Sequence, residues 1–154
     1  MLDFKEIAKT KLEEVKAVPL LPVATYRWQV EKLPEIRDIT GADGTEYQAV
    51  EFPIICLAVA DDTDVSEFPA DIKGQRQRLS FMFNKSDEKA FAQTQNQIKT
   101  FLVEHLKCVG PDASFVEGFN AAVKQQFLAG ITHREDKKNP GVFRENVGRT
   151  APLD

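Results

Sequence analysis

A mostly β domain with a few helices, of the α+β class, is what the sequence predicts, and three observations predict it. Runs rich in β-branched and aromatic residues, with period-two alternation, recur at residues 24–33, 46–60 and 79–83. The last third, residues 124–151, holds two more such runs around Glu135-Asp-Lys-Lys-Asn-Pro-Gly141, the pattern of a β-hairpin with a long loop. Between the third and fourth runs, residues 86–123 carry helical spacing instead.

The first segment, residues 3–16, places Phe4, Ile7, Leu12 and Val15 among Lys and Glu at roughly helical intervals, so residues 1–20 read as a helical arm ahead of the domain at 21–154. Pro19 and Pro22 break that helix. In the first strand Tyr26, Trp28 and Val30 share one face, and Arg27, Gln29 and Glu31 the other. A polar connection follows, with Gly41-Ala-Asp-Gly44 as its turn. The second strand turns apolar on both faces through Ile54, Ile55, Cys56, Leu57 and Val59, which predicts burial on both sides. Pro53 inside it predicts a bulge or an edge. Residues 61–71 form an acidic block without the spacing of a calcium loop, and so read as a solvated loop. In the third strand Leu79, Phe81 and Phe83 alternate with Arg78, Ser80 and Met82.

Ser86 is positioned to cap a helix opening with Asp87 and Glu88 and carrying Phe91, Thr94, Ile98, Phe101, Leu102 and His105 inward. Gly110-Pro111 ends it. Ser114-Phe-Val-Glu117 is a capping box for a second helix, with Phe115, Phe119 and Val123 predicted inward. Five strands with helices between the third and fourth is the element order of an OB-fold barrel.

Composition sets the outer bounds. The chain has 154 residues, enough for one domain, and 42% hydrophobic with 29% charged residues is ordinary for a globular protein. A net charge of −4 disfavours a general polyanion binder, although local clustering of cations matters more than their sum. Cys56 and Cys108 match no metal spacing and read as buried thiols of a reducing compartment. The first residues lack a signal-peptide core, and the apolar run at 52–60 is too short to span a bilayer, so the expected location is cytoplasmic. No nucleophile elbow, phosphate loop or metal-ligand pattern appears, so no enzyme activity, cofactor or metal is expected.

Five motifs carry a family resemblance. They are Pro22-x-x-Thr25-Tyr26-x-Trp28, Tyr47-x-x-Val50-x-Phe52, Gln77-Arg78-x-x-Phe81-x-Phe83, Phe101-Leu102-x-x-His105-Leu106, and Gln126-Phe127-Leu128-Ala129-x-Ile131-x-His133 leading to Asn146-Val147-x-Arg149. In their order and spacing, from about residue 20 onward, they resemble phage- and prophage-encoded OB-fold single-stranded-DNA-binding proteins. The resemblance implies non-catalytic binding of single-stranded DNA during phage replication or recombination. It also implies partners among replication or recombination proteins, with an oligomer possible. Such proteins often recruit partners through an acidic C-terminal tail, and Ala151-Pro-Leu-Asp154 is far shorter than one.

Binding a single strand needs cations along the phosphates and rings on which bases stack. Arg27 and Trp28 in the first strand, Arg76 and Arg78 before the Phe81–Phe83 run, and Arg134, Lys137, Lys138, Phe143, Arg144 and Arg149 in the terminal hairpin are the candidates. Tyr26 and Trp28 share a face with Val30, so they read more readily as core than as stacking platforms, and Phe81 and Phe83, sharing a face with Leu79, read as core. The rival reading is a protein-interaction or structural module of a phage assembly or replication complex, favoured by the net charge and the acidic block.

Overall fold

The structure, a computed structural model, describes residues 21–60, 73–136 and 139–153. The expected helical arm, the acidic block at 61–71, and Lys137 and Lys138 lie outside the described residues. Six antiparallel-paired strands run β1 Ala24–Val30, β2 Glu35–Thr40, β3 Glu46–Val59, β4 Arg76–Asn84, β5 Gln126–Glu135 and β6 Phe143–Ala151. Between β4 and β5 lie helix α1 Glu88–Thr100, a π-helical turn Phe101–His105 and helix α2 Phe115–Ala122. The class is therefore α+β and mostly β, with one strand more than the sequence predicts.

That extra strand is β2, which occupies what reads in the sequence as a polar connection. It pairs from Glu35↔Glu51 to Thr40↔Glu46 with the first half of β3. The turn joining them closes with Gly41 N–H donating to Thr45 O at 2.7 Å, and Gly44 adopts φ +84°, which a side chain would strain. β3 then exchanges partners, pairing with β1 from Ile54 to Val59 while β4 lies along its other edge. Pro53 sits at the exchange point. Its carbonyl accepts from Glu31 N–H at 2.9 Å, so the N–H that proline lacks would face the gap between β2 and β1. The strand continues through it without a register shift against β4.

Alternation places Val50, Phe52, Ile54 and Cys56 of β3 in the core, where Phe52 meets Phe81, Phe101 and Phe119 with ring centroids 5.4–5.9 Å apart. Such edge-to-face clusters add to the burial of the rings themselves. Ile55 and Leu57, on the opposite face, are only half-buried, so the second half of β3 is not covered on both sides, whereas Ala49 and Glu51 on that face are buried.

The helix caps differ from expectation in detail. Asp87, not Ser86, caps α1, its carboxylate accepting from Lys89 N–H at 3.0 Å and Ala90 N–H at 3.1 Å. Thr94 docks α1 onto β4 by donating its hydroxyl to Met82 O at 2.8 Å. Ser114 caps α2 by accepting from Glu117 N–H at 3.1 Å. Phe115 faces solvent, because Gly118 and Ala122 are the residues that α2 buries. A Cβ on Gly118 would lie 2.7 Å from the Leu102 side-chain methyl, so a larger residue there would have to displace Leu102 for α2 to keep its packing on the π turn.

The sheet order is β2-β3-β1-β5-β6 with β4 added beside β3, and no ladder joins β4 to β6. The sheet is therefore not a closed barrel. At one end of this open seam the Glu145 carboxylate accepts hydrogen bonds from the Gln77 side chain on β4 and from Leu21 N–H. Away from that clasp α1 packs against β4 and the π turn against β6.

Candidate nucleic-acid interface

The pairing registers decide which side chains share a face. Arg78 lies opposite Pro53, Arg76 opposite Ile55, Ile55 opposite Gln29, and Arg37 opposite Ala49. All belong to the face turned away from the core, and Arg27, two residues from Gln29 on β1, belongs to it as well. Four guanidiniums from three strands thus lie on one outer surface. Tyr47, half-buried, stands on the same surface between Ile39 and Asn84.

Carboxylates hold three of these cations in place. Arg76 Nε sits 2.7 Å from Glu31 Oε1. Glu51, only 6% exposed, lies between Arg37 at 3.0 Å and Arg78 at 3.9 Å, and its second oxygen accepts from the Ser80 hydroxyl at 3.2 Å. Arg37 reaches Glu51 Oε1 without hydrogen-bond direction, so charge alone holds that oxygen. A single carboxylate set among guanidiniums fixes their spacing while more than half of each cation's side chain stays in water. Beside them an open groove of about 720 Å³ is lined by Glu31, Lys32, Glu35, Pro53, Arg76 and Arg78. On the other face of β2, Lys85 donates to Asp38 at 2.9 Å. That bond holds the Asp38 carboxyl below its usual range and ties the β2 hairpin to the end of β4.

Of the sequence candidates, Arg27, Arg76 and Arg78 come together here. Trp28 does not. Its ring has no exposed surface, it packs against Tyr26 with centroids 6.2 Å apart, and its Nε1–H donates to Ala129 O at 3.2 Å. Trp28 and Tyr26 are core. Burial, with the nearby Cys56 and Glu145 charges, pushes the Tyr26 hydroxyl up to about 12. Burial likewise pushes the Cys56 thiol up to about 11.

Arg134, Phe143 and Arg144 lie at the tip of the β5–β6 hairpin, beyond the end of β1. Arg134 and Arg144 are directly opposite one another, and Arg144 is held by Asp136 at 3.1 Å through both Nε and Nη2. Phe143 is 52% exposed. Arg149 lies elsewhere, on the wall of the open seam. Among the described residues, Arg27, Arg134 and Arg149 make no ion pair. No three His, Cys, Asp or Glu side chains among the described residues come together as metal ligands, and no described helix is long and apolar enough to cross a membrane.

Arg37 and Tyr47 escape a sequence reading for different reasons. Arg37 lies in the strand that reads as loop, and Tyr47 looks like one more residue at the start of an apolar run. No protein-family model matches the chain, and no curated protein matches its sequence.

Proposed function

We propose that this chain is an OB-fold protein that binds single-stranded DNA, without catalysis, in phage replication or recombination in a bacterial cytosol. The neighbours β1–β3, β3–β4, β1–β5 and β5–β6 match four of the five neighbour pairs of an OB barrel, lacking the closing β4–β6 pair, with β2 inserted in the first connection, and this supports the reading. The family uses the face corresponding to β3–β4, together with the loop carrying β2 and the terminal hairpin. The observation that carries the reading is the shared outer face of Arg27, Arg37, Arg76 and Arg78, with Tyr47 on the same face beside Arg37 at the far end of β3 from Arg27 and Arg76. Guanidiniums meet phosphates, and the Tyr47 ring stacks on a base. The hairpin tip, with Arg134, Phe143 and Arg144, overhangs one end of the path. Affinity from phosphates and stacking carries little sequence preference on this face.

The test is anisotropy titration of a labelled oligothymidine over a range of salt. Four phosphates neutralised give a log–log slope of about −2.8. Arg27→Gln with Arg78→Gln should make it shallower by about 1.4, and Tyr47→Ala should cost about 1–3 kcal/mol with the slope unchanged. No binding at low salt refutes the reading and leaves the protein-interaction module in its place.

A further inference from the structure

A cleft of about 920 Å³ lies not on the outer face but in the open seam between β4 and β6. Leu79, Phe81 and Val147 form its apolar floor. Along one wall α1 presents Gln93, Asn96, Gln97 and Thr100. This stripe, at helical spacing, lies next to the stripe of Thr94 and Ile98 that docks the helix. Arg149 and Thr150 stand on the opposite wall, and His105 Nδ1 lies 2.6 Å from Thr150 Oγ1, pinning the π turn to β6. Among the described residues no carboxylate side chain lines this cleft. The three carboxamides are exposed and have no hydrogen-bond partner among the described residues.

We infer that the seam cleft is a nucleobase pocket, taking one or two nucleotides of the strand whose phosphates lie on the outer face. The inference rests on the DNA-binding reading above. A carboxamide offers a donor and an acceptor side by side, and this matches the paired groups on a base edge rather than a phosphate. The apolar floor covers the flat of the base, the Arg149 guanidinium meets its phosphate, and the described lining carries no carboxylate to repel the strand. Arg76 and Arg78 point outward from β4, whereas Leu79 and Phe81 of the same strand floor the cleft, so a chain crossing the β4 edge reaches both. An extended peptide is the other ligand that free strand edges accept. However, β4 and β6 converge at the Gln77–Glu145 clasp and leave no uniform slot for a strand paired to both.

The experiment compares short homopolymers of dA, dC and dT on the full chain and on the variant Gln93→Ala/Asn96→Ala/Gln97→Ala. All three positions are exposed and helical, where alanine is favourable. The wild type should prefer one homopolymer over the poorest by about fivefold to a hundredfold, the discrimination of one bidentate amide–base contact. The variant should bind all three as the wild type binds the poorest. If the wild type binds them equally, or the variant keeps the preference, the pocket is refuted and the outer-face reading stands. If the wild type binds none, both fall. Independently of any variant, the preferred oligonucleotide should slow hydrogen exchange at residues 93–100 and 147–150, and protection confined to β2, β3 and β4 would overturn the pocket.

Discussion

Glu51 restrains the surface assigned to DNA, and Glu51→Gln tests that assignment by a gain instead of a loss. Its carboxylate lies between Arg37 and Arg78, so a phosphate bound by either guanidinium sits near a buried negative charge. At a separation of about 6 Å the repulsion is about 0.7 kcal/mol in water and about 2.8 kcal/mol at the effective dielectric near a protein surface. Both guanidinium side chains are more than half exposed, which favours the lower end, about 1 kcal/mol. That is about fivefold tighter binding, with a salt slope steeper by up to about 0.7 for each cation released. The amide keeps an oxygen for the Ser80 hydroxyl, and the freed guanidiniums stay hydrated, so the fold should lose only about 1 kcal/mol. Anisotropy at several salt concentrations reads the effect, with thermal melting alongside. Glu88→Gln, the same charge change on the exposed start of α1, is the control for net charge. Unchanged or weaker binding by Glu51→Gln with the fold intact, or an equal gain in the control, would refute the assignment.

Trp28→Ala should destabilise the domain by about 3–5 kcal/mol in denaturant melts, and oligonucleotide should leave the wild-type tryptophan emission unquenched, because the ring is sealed in the core. Phe143→Ala should barely move the melting temperature yet weaken single-strand binding by about 1–3 kcal/mol at constant salt slope, since stacking releases no counterions; wild-type affinity in that variant would remove the hairpin tip from the site. Burial raises the folded Cys56 thiol from 9.0 to about 11, so the unfolded chain loses this proton first as pH rises. Its contribution to stability is complete below pH 9 and falls away between about pH 9 and 11, measurable as a declining melting temperature that Cys56→Ala flattens over that window.

Much of this architecture is legible in the sequence because one face of each long strand is buried. Tyr26, Trp28 and Val30, or Leu79, Phe81 and Phe83, announce both a strand and its inner face. The terminal hairpin is equally plain, from two such runs and the Asn-Pro-Gly turn. β2 leaves no such trace. Its residues Glu35-Ile-Arg-Asp-Ile-Thr are nearly all exposed, and it pairs along one edge only, so no core selects its pattern. The site suffers from the same blindness. Arg37 belongs to that hidden strand, and an outer face is assembled from registers between distant strands, which period-two alternation does not give. Trp28 shows the converse, since an aromatic beside an arginine suggests stacking until its neighbours Tyr26 and Val30 are seen to bury it. The sequence places the cap of α1 at Ser86, one residue before Asp87, because both suit the role and only the helix phase chooses between them.

The pairings form an open chain, and this has a mechanical consequence. In a closed barrel two ladders must part before the sheet divides. Here one suffices, and the β1–β3 ladder, interrupted by a bulge between Arg27 and Trp28, is where it would. Its rupture leaves β2, β3 and β4 as one leaf and β1, β5 and β6 as the other, hinged through the helices and fastened by the Glu145 clasp. Arg27 stands on one leaf; Arg37, Arg76 and Arg78 stand on the other. A polyanion laid across them fastens the two leaves from outside, so the ligand would act as the missing ladder.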